Sequence, residues 1–222
     1  MESYKTQNAQ LFVWTDIDPA HEGDFNLWYD REHMEERVAI EGFCWARRYR
    51  NRSDPGRRYL AIYRTENIQT FGTEAYAQAF NHQTDWSNTN FARMTNTKRR
   101  VMHVPTEGGF GSGAQAVLLT LADAITDLDA IASTLTSVEG VLGFHVMVPD
   151  ETLSTPLPSE DLENRTLEPA ILVDATNATA AQAAGAALLN KLNLGSDRAS
   201  YFDFMWELRS QDLENSAANR TA

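Results

Sequence analysis

Hydrophobic and polar positions along the first hundred residues change period several times, and each change marks an element. Gln10–Thr15 is apolar, β-branched and aromatic, which predicts a first strand. Asp18-Pro19 is a helix-start signal, since the aspartate can cap and the proline fits the first turn. Residues at three- and four-position spacing then predict a helix that ends before Gly42: Phe25, Trp28, Tyr29, Glu32, His33 and Glu36.

Two alternating segments follow this helix. Phe43–Arg50 and Tyr59–Arg64 predict a β-hairpin, because the turn signal Asp54-Pro55-Gly56 lies between them. A broken helical pattern runs from about Ile68 to Met94, and Lys98–Val104 predicts a final strand. The resulting order, βαββαβ, is that of a split βαβ, ferredoxin-like unit.

The same order is predicted a second time. Residues 9–105 form the first unit, a glycine-rich linker follows at 106–114, and residues 115–208 form the second unit. The second unit's predicted elements are strand Ala116–Leu121, helix Asp123–Leu135, strand Val141–Val148, strand Ala170–Ala175, helix Thr179–Leu192 and strand Tyr201–Leu208. The proline-rich, acidic loop at residues 149–168 is typical of a mobile edge or a lid. The polar ends, 1–8 and 209–222, are expected to be flexible tails.

A short repeat supports the duplication. Glu41-Gly42 and Glu139-Gly140 each stand between a predicted helix and an apolar strand. Aligning the two pairs sets Trp28, Tyr29 and His33 against Thr126, Asp127 and Ile131. The sequence therefore predicts a duplicated fold, an α+β architecture of two tandem ferredoxin-like units, with chemistry in the first unit only.

Composition is divided in the same uneven way. Four of the five histidines and four of the five tryptophans precede residue 106. Up to residue 105, 14 basic residues balance 14 acidic ones, whereas 5 face 17 thereafter, so the net charge of −12 belongs to the second half. No net basic face is available for nucleic acid. A single cysteine and the lack of an 18-residue apolar run predict a cytoplasmic protein without disulfides or a membrane span.

The first unit carries the combination Trp28, Glu32-His33, Gly42-Phe43 and Arg47-Arg48-Tyr49, which resembles the EthD-like branch of the dimeric α+β barrel superfamily. The resemblance implies that two fused units form, within one chain, the barrel that single-unit relatives make by dimerising. It also implies a small-molecule pocket but leaves the reaction open. Members include cofactor-free isomerases, lactone-handling enzymes, polyketide cyclases, quinol-type monooxygenases and haem-handling proteins. Loss of the polar signature from the second unit implies one active site per chain.

His33 is the lead candidate for a catalytic proton carrier. A histidine can move protons near neutral pH, and Tyr29 lies four residues earlier on the same helical face. Asp16 could orient His33 or act as a base, and Arg48 or Arg47 could balance developing negative charge. His82, in a polar and aromatic segment, is a further catalytic candidate. The alternatives are a half-buried histidine bonded to a carbonyl for His33, a helix cap for Asp16 and a surface position for His82.

Aromatic side chains of the first unit are candidates for the substrate-binding wall. We expect Trp14, Trp28, Tyr63 and Trp86 to line the pocket, with Arg47 holding a carboxylate or phenolate. His103 could share the cavity with Trp14 or lie at a seam between sheets. Neither a metal-ligand spacing nor a phosphate-binding loop is present, so no metal, nucleotide or other cofactor is expected.

The function predicted first is a cofactor-independent enzyme of isomerase, cyclase or lyase type, acting by acid and base on an aromatic or polyketide-like carbonyl compound. If His33 is the proton carrier, kcat/KM should bend near the pKa of a histidine, at about 6–7 if that pKa is little perturbed. Two alternatives stay open: a non-catalytic small-molecule binding or interaction module, and a haem-binding or oxygenase relative. The expected partner is a small molecule, with no membrane and no nucleic acid, and the chain is expected to be a monomer or a homodimer.

Overall fold

The computed structural model describes residues 8–51, 56–123 and 125–220, with side chains to residue 216. Most of the predicted tail at 1–8 and of the turn at Asp54-Pro55 therefore lies outside the described residues. Within the described part, no helix is long and apolar enough to cross a membrane.

The first half of the chain follows the predicted order. Strand β1 (Ala9–Ile17) leads into a 3-10 turn, Pro19–His21, whose cap is the predicted one, since Asp18 accepts a hydrogen bond from Ala20 N–H. Helix α1 (Glu22–Trp28), a π-helical turn (Tyr29–His33) and helix α2 (Met34–Val38) then run on without a break. Strands β2 (Phe43–Arg50) and β3 (Tyr59–Thr65), a 3-10 turn (Ile68–Gly72), helices α3 (Glu74–Asn81) and α4 (Asp85–Arg93) and strand β4 (Met94–Gly109) follow.

The second half repeats these elements. They are β5 (Gln115–Thr120), α5 (Leu128–Thr136), β6 (Val141–Pro149), β7 (Ala170–Ala175), α6 (Ala178–Leu192), a 3-10 turn (Ser196–Arg198) and β8 (Ala199–Arg209). Helix α5 begins later than its sequence pattern predicts because Asp127 caps it, accepting from Ala130 N–H at 2.9 Å. Strand β4 continues to Gly109, so the start of the predicted linker is extended strand.

The chain end differs from the expected flexible tail. Helix α7 occupies Ser210–Arg220. Asp212 caps its start by accepting from the backbone N–H of Arg209, the Ser210 hydroxyl donates to the Cys44 carbonyl, and Leu213 packs on the core of the first unit. These contacts tie a polar segment down in a way that its composition does not reveal.

All eight strands close into one antiparallel barrel in the order β1-β3-β2-β8-β5-β7-β6-β4. Strands β4-β1-β3-β2 and β8-β5-β7-β6 are the two halves, and each has the fourth-first-third-second order of a ferredoxin-like sheet. The halves join where β2 pairs with β8 and where β4 pairs with β6, so each seam joins second and fourth strands. The predicted fold class, two tandem βαββαβ units closing an α+β barrel within one chain, is confirmed.

The two Glu-Gly pairs occupy the same turn in each half. Gly42 and Gly140 have φ values of 89° and 82°, which only glycine adopts without strain. The Gly42 carbonyl accepts from Glu66 N–H, and the Gly140 carbonyl accepts from Thr176 N–H, at 2.9 and 2.8 Å. The repeat thus marks a shared backbone requirement at the start of the second strand of each unit.

Alternation along the strands separates three packed layers. Phe12 and Trp14 point into the barrel, which is filled by apolar side chains from both units. Leu11 and Val13 face outward onto the helices of the first unit. A separate aliphatic cluster fills the helix layer of the second unit. The barrel interior is therefore core, and any pocket must lie under a helix layer or at a barrel end.

Candidate functional site

A cavity of about 480 Å³ lies in the helix layer of the first unit, between the sheet and its helices. Leu11, Val13, Tyr63 and Arg99 line it from the strands. The remaining lining comes from the segment Tyr29–Arg37, from helices α3 and α4, and from residues 155–158. Exposed Asn81, Asn88 and Thr155 mark the opening to solvent. The size and largely apolar lining are those of a site for a small organic molecule.

The π turn places two of the predicted residues in this cavity. Met34 N–H donates to the Tyr29 carbonyl five residues earlier, which widens the helix locally. Tyr29 and His33 both line the cavity, with their ring centroids 5.2 Å apart in an edge-to-face arrangement. Turns of this kind occur frequently at functional sites.

Aromatic rings enclose the His33 side chain, which is 6% exposed. Trp28 stacks on the imidazole at 4.3 Å with an interplanar angle of 29°, and Phe91 and Tyr63 meet it edge-on at 5.6 and 6.2 Å. Nδ1 is buried and makes no hydrogen bond with any described residue; the nearest carboxylate contact, Glu36 Oε2, is 3.9 Å away. The ring is held by packing rather than by a hydrogen-bonded partner.

This environment keeps His33 neutral. Burial lowers the pKa of its imidazole well below 6.5, and the nearby cations Arg37 and Arg48 lower it further. The expected bend in rate at about 6–7 applies to a little-perturbed histidine, a condition that the lowered pKa of His33 does not meet. At neutral pH the side chain is an unprotonated imidazole that can accept a proton.

Two phenols lie beside it. Tyr63 is fully buried on β3, and burial together with the neighbouring Tyr29 phenol raises its pKa well above 10. Burial also raises the pKa of Tyr29, although the Arg48 guanidinium, 3.9 Å from the Tyr29 ring centroid, opposes this rise. Both hydroxyls therefore stay protonated, and the two phenols interact with each other beside His33.

Arg37 also lines the cavity, one helical turn beyond His33. Its side chain is 4% exposed, and its Nη2 donates to Gln83 Oε1 at 2.9 Å. Gln83 in turn donates to the carbonyls of Ala79 and Phe80 at the end of α3. Arg37 is thus directed at the break between α3 and α4.

Arg99 enters from the sheet and meets the second unit. Its Nη1 donates to the carbonyls of Leu153 and Thr155 at 3.2 and 2.8 Å, and its Nη2 donates to the Tyr76 hydroxyl at 2.6 Å. The guanidinium carbon lies 4.8 Å from the centroid of the Phe80 ring. Arg99 therefore fixes the edge of the loop that covers the cavity.

That loop, the β6–β7 loop of residues 150–169, belongs to the second unit but lines the cavity of the first through residues 155–158. Ser154 anchors it to β4, where its hydroxyl accepts from Val101 N–H at 3.0 Å. Arg100 Nη1 donates to Glu160 Oε1 at 2.5 Å and holds the far side of the loop. The loop therefore covers part of the cavity and is held in place by several polar contacts. Its role as a lid stays a prediction.

Three charged residues predicted for the site lie outside the cavity. Asp16 accepts from Arg58 Nε at 2.6 Å and does not contact His33. Arg48 lies behind Tyr29, where it also pairs with Asp30, and Arg47 lies at one end of the barrel interior with Asp174 and Glu207. None of the three lines the cavity. Strand alternation and ion pairing, which sequence does not fix, separate them from it.

Of the four aromatic residues predicted to line the pocket, only Tyr63 does so. Tyr63 lines the cavity, whereas Trp28 supports His33 from behind with its Nε1 bonded to Ser87 Oγ at 3.0 Å. Trp14 fills the barrel interior and donates to the Arg57 carbonyl. Trp86 donates to Asp24 on α1, away from the cavity.

Two predicted histidines are also outside. His82 is exposed at the end of α3. His103 lies on β4 with its Nε2 3.1 Å from Asp150 Oδ2, at the start of the β6–β7 loop. Asp150 is 47 residues from His103 in sequence, so sequence spacing does not predict this contact.

Several cavity residues were not predicted. Arg37 carried a usable signal, since it stands four residues after His33 on the same helical face. Arg99 carried a weaker one, its place in the alternation of β4. Gln83, Tyr76 and residues 155–158 gave no signal, because a helix break and a loop from the other unit bring them in.

No group of three or more metal-ligating side chains occurs among the described residues. No protein-family model matches the chain, and no curated protein matches it. Solved structures do match. A proposed monooxygenase from Fusobacterium nucleatum has a TM-score of 0.59 at 7% identity, covering 92% of this chain and 95% of that one.

Two further matches have the same character. A proposed monooxygenase from Lactobacillus acidophilus has a TM-score of 0.59 at 10% identity over 92% of this chain and 97% of its own. An anthrone oxidase-like protein has a TM-score of 0.57 at 9% identity over 94% and 96%. These likenesses support the dimeric α+β barrel fold, and membership of the EthD-like branch remains a prediction.

Proposed function

We propose that the first-unit cavity binds a small aromatic carbonyl compound and that neutral His33 acts on it as a general base without a cofactor. The observation that carries the proposal is a buried, unprotonated histidine lining a cavity whose described wall residues include two arginines and no carboxylate. The proton would come from a carbon or hydroxyl next to the substrate carbonyl. Imidazole would hold it and return it, at the same or another position.

The lowered pKa of His33 limits the substrate. A weak base removes a proton efficiently only from an acidic group, so the conjugate base must be stabilised by aromatic conjugation or by the protein. Arg37, one turn from His33, supplies a positive charge for the oxyanion, and the interacting pair of phenols, Tyr29 and Tyr63, can donate a hydrogen bond to it. Apolar side chains and the β6–β7 loop restrict water.

A second candidate is oxygenation of the same carbanion, which the names of the structural neighbours favour. A deprotonated anthrone-type methylene would add dioxygen, and loss of water would leave a carbonyl at that carbon. Dioxygen is the oxidant and the substrate carbon is oxidised. The role of His33 is the same in both cases, namely removal of the first proton.

A haem site fits this cavity poorly. The rings of Trp28, Tyr29, Phe91 and Tyr63 surround the imidazole with centroids between 4.3 and 6.2 Å away, and the side chain is 6% exposed. This enclosure disfavours His33 as a haem ligand.

Hydrogen-deuterium exchange tests the proposal without knowledge of the natural product. Anthrone and 2-tetralone in D₂O should exchange their acidic C–H protons faster with the wild-type protein than in buffer, followed by proton NMR. His33→Gln should remove the acceleration, and His82→Gln, at an exposed position outside the cavity, should keep it. An oxygen electrode detects the second candidate. Binding without exchange or oxygen uptake would instead support a non-catalytic binding module.

A further inference from the structure

The described part of the chain buries six arginine side chains, and they fall into two classes. Four have a carboxylate within ion-pair distance: Arg47, Arg48, Arg64 and Arg100. Arg37 and Arg99 have none among the described residues. These two unpaired arginines both line the first-unit cavity.

An unpaired buried guanidinium is costly, because it loses hydration without gaining a counter-charge. The cost is unexpected in this chain, which has 31 acidic residues against 19 basic ones. Glu36 is adjacent to Arg37 in sequence, but the two side chains form no ion pair; burial and the neighbouring Glu32 raise the pKa of the Glu36 carboxyl, and Arg37 only opposes that rise. The counter-charge is therefore expected from a ligand.

The donor inventory points the same way. Arg37 uses one hydrogen bond, to neutral Gln83, and so has further N–H donors for a planar acceptor. Arg99 uses its two terminal nitrogens on two backbone carbonyls and a phenol, none of which carries a charge. Arg37 therefore has more free N–H groups to bind a carboxylate through two parallel hydrogen bonds. Arg99 adds a second positive charge on the opposite, sheet side of the cavity.

We infer that the ligand of this cavity is an aromatic carboxylate, whose carboxylate pairs with Arg37 while its rings lie against Phe80, Phe91 and Leu157 and Arg99 adds positive charge from the sheet side. The inference rests on the proposed function for the location of the site and adds the chemical class of the ligand. It does not require that His33 turn the ligand over.

Binding of unreactive probes tests it. Calorimetry would compare 2-naphthoate with the isosteric 2-naphthamide, neither of which has an acidic aliphatic C–H next to its carbonyl for His33 to deprotonate. Wild-type protein should prefer the carboxylate by about 10-fold or more, the range of one charge-assisted contact. Arg37→Gln should reduce that preference to about 3-fold or less, and Arg99→Gln should weaken it as well.

Arg93→Gln is the matched control, since it removes one positive charge from α4 at an arginine that pairs with Asp24 and does not line the cavity. Its preference should equal that of the wild type. Arg37→Lys keeps the charge and should keep most of the preference, which distinguishes charge from shape if Arg37→Gln folds poorly.

Equal affinity for amide and carboxylate, no binding of 2-naphthoate, or a preference that survives Arg37→Gln and Arg99→Gln alike would overturn the inference. Failure of the proposed function gives a different result. His33→Gln would then bind 2-naphthoate normally, and no ketone would exchange its protons.

Discussion

The helix layers of the two units follow the same element order but carry different side chains next to the sheet. In the first unit, His33, Tyr29 and Arg37 project toward the sheet beside a cavity. In the second, Ile131 takes the aligned place of His33, and the groove beside it, of about 310 Å³, has no histidine, tyrosine or arginine in its lining. Duplication of a fold therefore leaves each copy free to specialise, since backbone turns and core alternation constrain only part of each element.

The difference extends to the second helical segment. In the first unit it is broken into α3 and α4, and the break admits Gln83 to the cavity. In the second it is one helix, α6, whose small residues Ala180, Ala181 and Ala184 are buried against the sheet. The small side chains let α6 pack close to the sheet, whereas the broken segment of the first unit leaves space for the cavity. The second unit contributes to the site through its β6–β7 loop and by closing the barrel.

The largest expected effect compares a paired with an unpaired arginine. Arg47→Met should lower the free energy of unfolding by about 3–5 kcal/mol, because it leaves Asp174 buried without its counter-charge. Arg37→Met should leave stability unchanged or raise it. Urea unfolding of both variants measures this. A larger loss for Arg37→Met would show that the cation in the cavity serves folding rather than a ligand.

Activity should depend on the His33 site and not on an equivalent site in the second unit. With any substrate found, His33→Gln should reduce kcat/KM by about 100-fold or more, the usual scale of general-base help. The wild-type rate should stay level as pH falls through 6.5, since the pKa of His33 is lowered well below that value. His145→Ala, at the barrel end beside Glu107, should have much less effect. Equal losses would indicate two equivalent sites.

The shared turn should respond equally in both units. Gly42→Ala and Gly140→Ala each place a Cβ at a positive φ, where its closest neighbours would be Thr70 Oγ1 and Ala180 Cβ, both at 2.7 Å. Each should cost about 1–3 kcal/mol of unfolding free energy. Thermal or urea unfolding measures both. A cost at only one glycine would mean that the repeat is not a common structural requirement.

The smallest effect concerns stability and pH. The folded-state pKa of His33 lies below its unfolded value of about 6.5. Below that pH the imidazole is protonated in the unfolded chain but still neutral in the folded chain. The stability contribution is complete above about pH 6.5 and is lost as pH falls toward the folded pKa. His33→Gln should flatten this decline between about pH 6.5 and 5 in urea titrations. An unchanged slope would contradict a neutral, buried imidazole.

Hydrophobic periodicity was enough to predict the βαββαβ order twice. The repeat at Gly42 and Gly140 was readable because a positive φ demands glycine wherever it recurs. The concentration of His and Trp in the first half led to His33, Tyr29 and Tyr63, which the structure places in one cavity. These signals are local, since each depends on neighbours within one helical turn or one strand.

Tertiary structure alone decided which charges meet. Arg47 and Arg48 are adjacent in sequence, but strand alternation sends one into the barrel, where it pairs with Asp174 of the second unit, and the other behind Tyr29, where it pairs with Asp30. Arg37 and Arg99 stay unpaired, and residues 155–158 from the second unit complete the cavity around them. Burial and ion pairing are properties of positions in space, so the sequence determines the elements and their polarity, while barrel closure determines which arginines are left for a ligand.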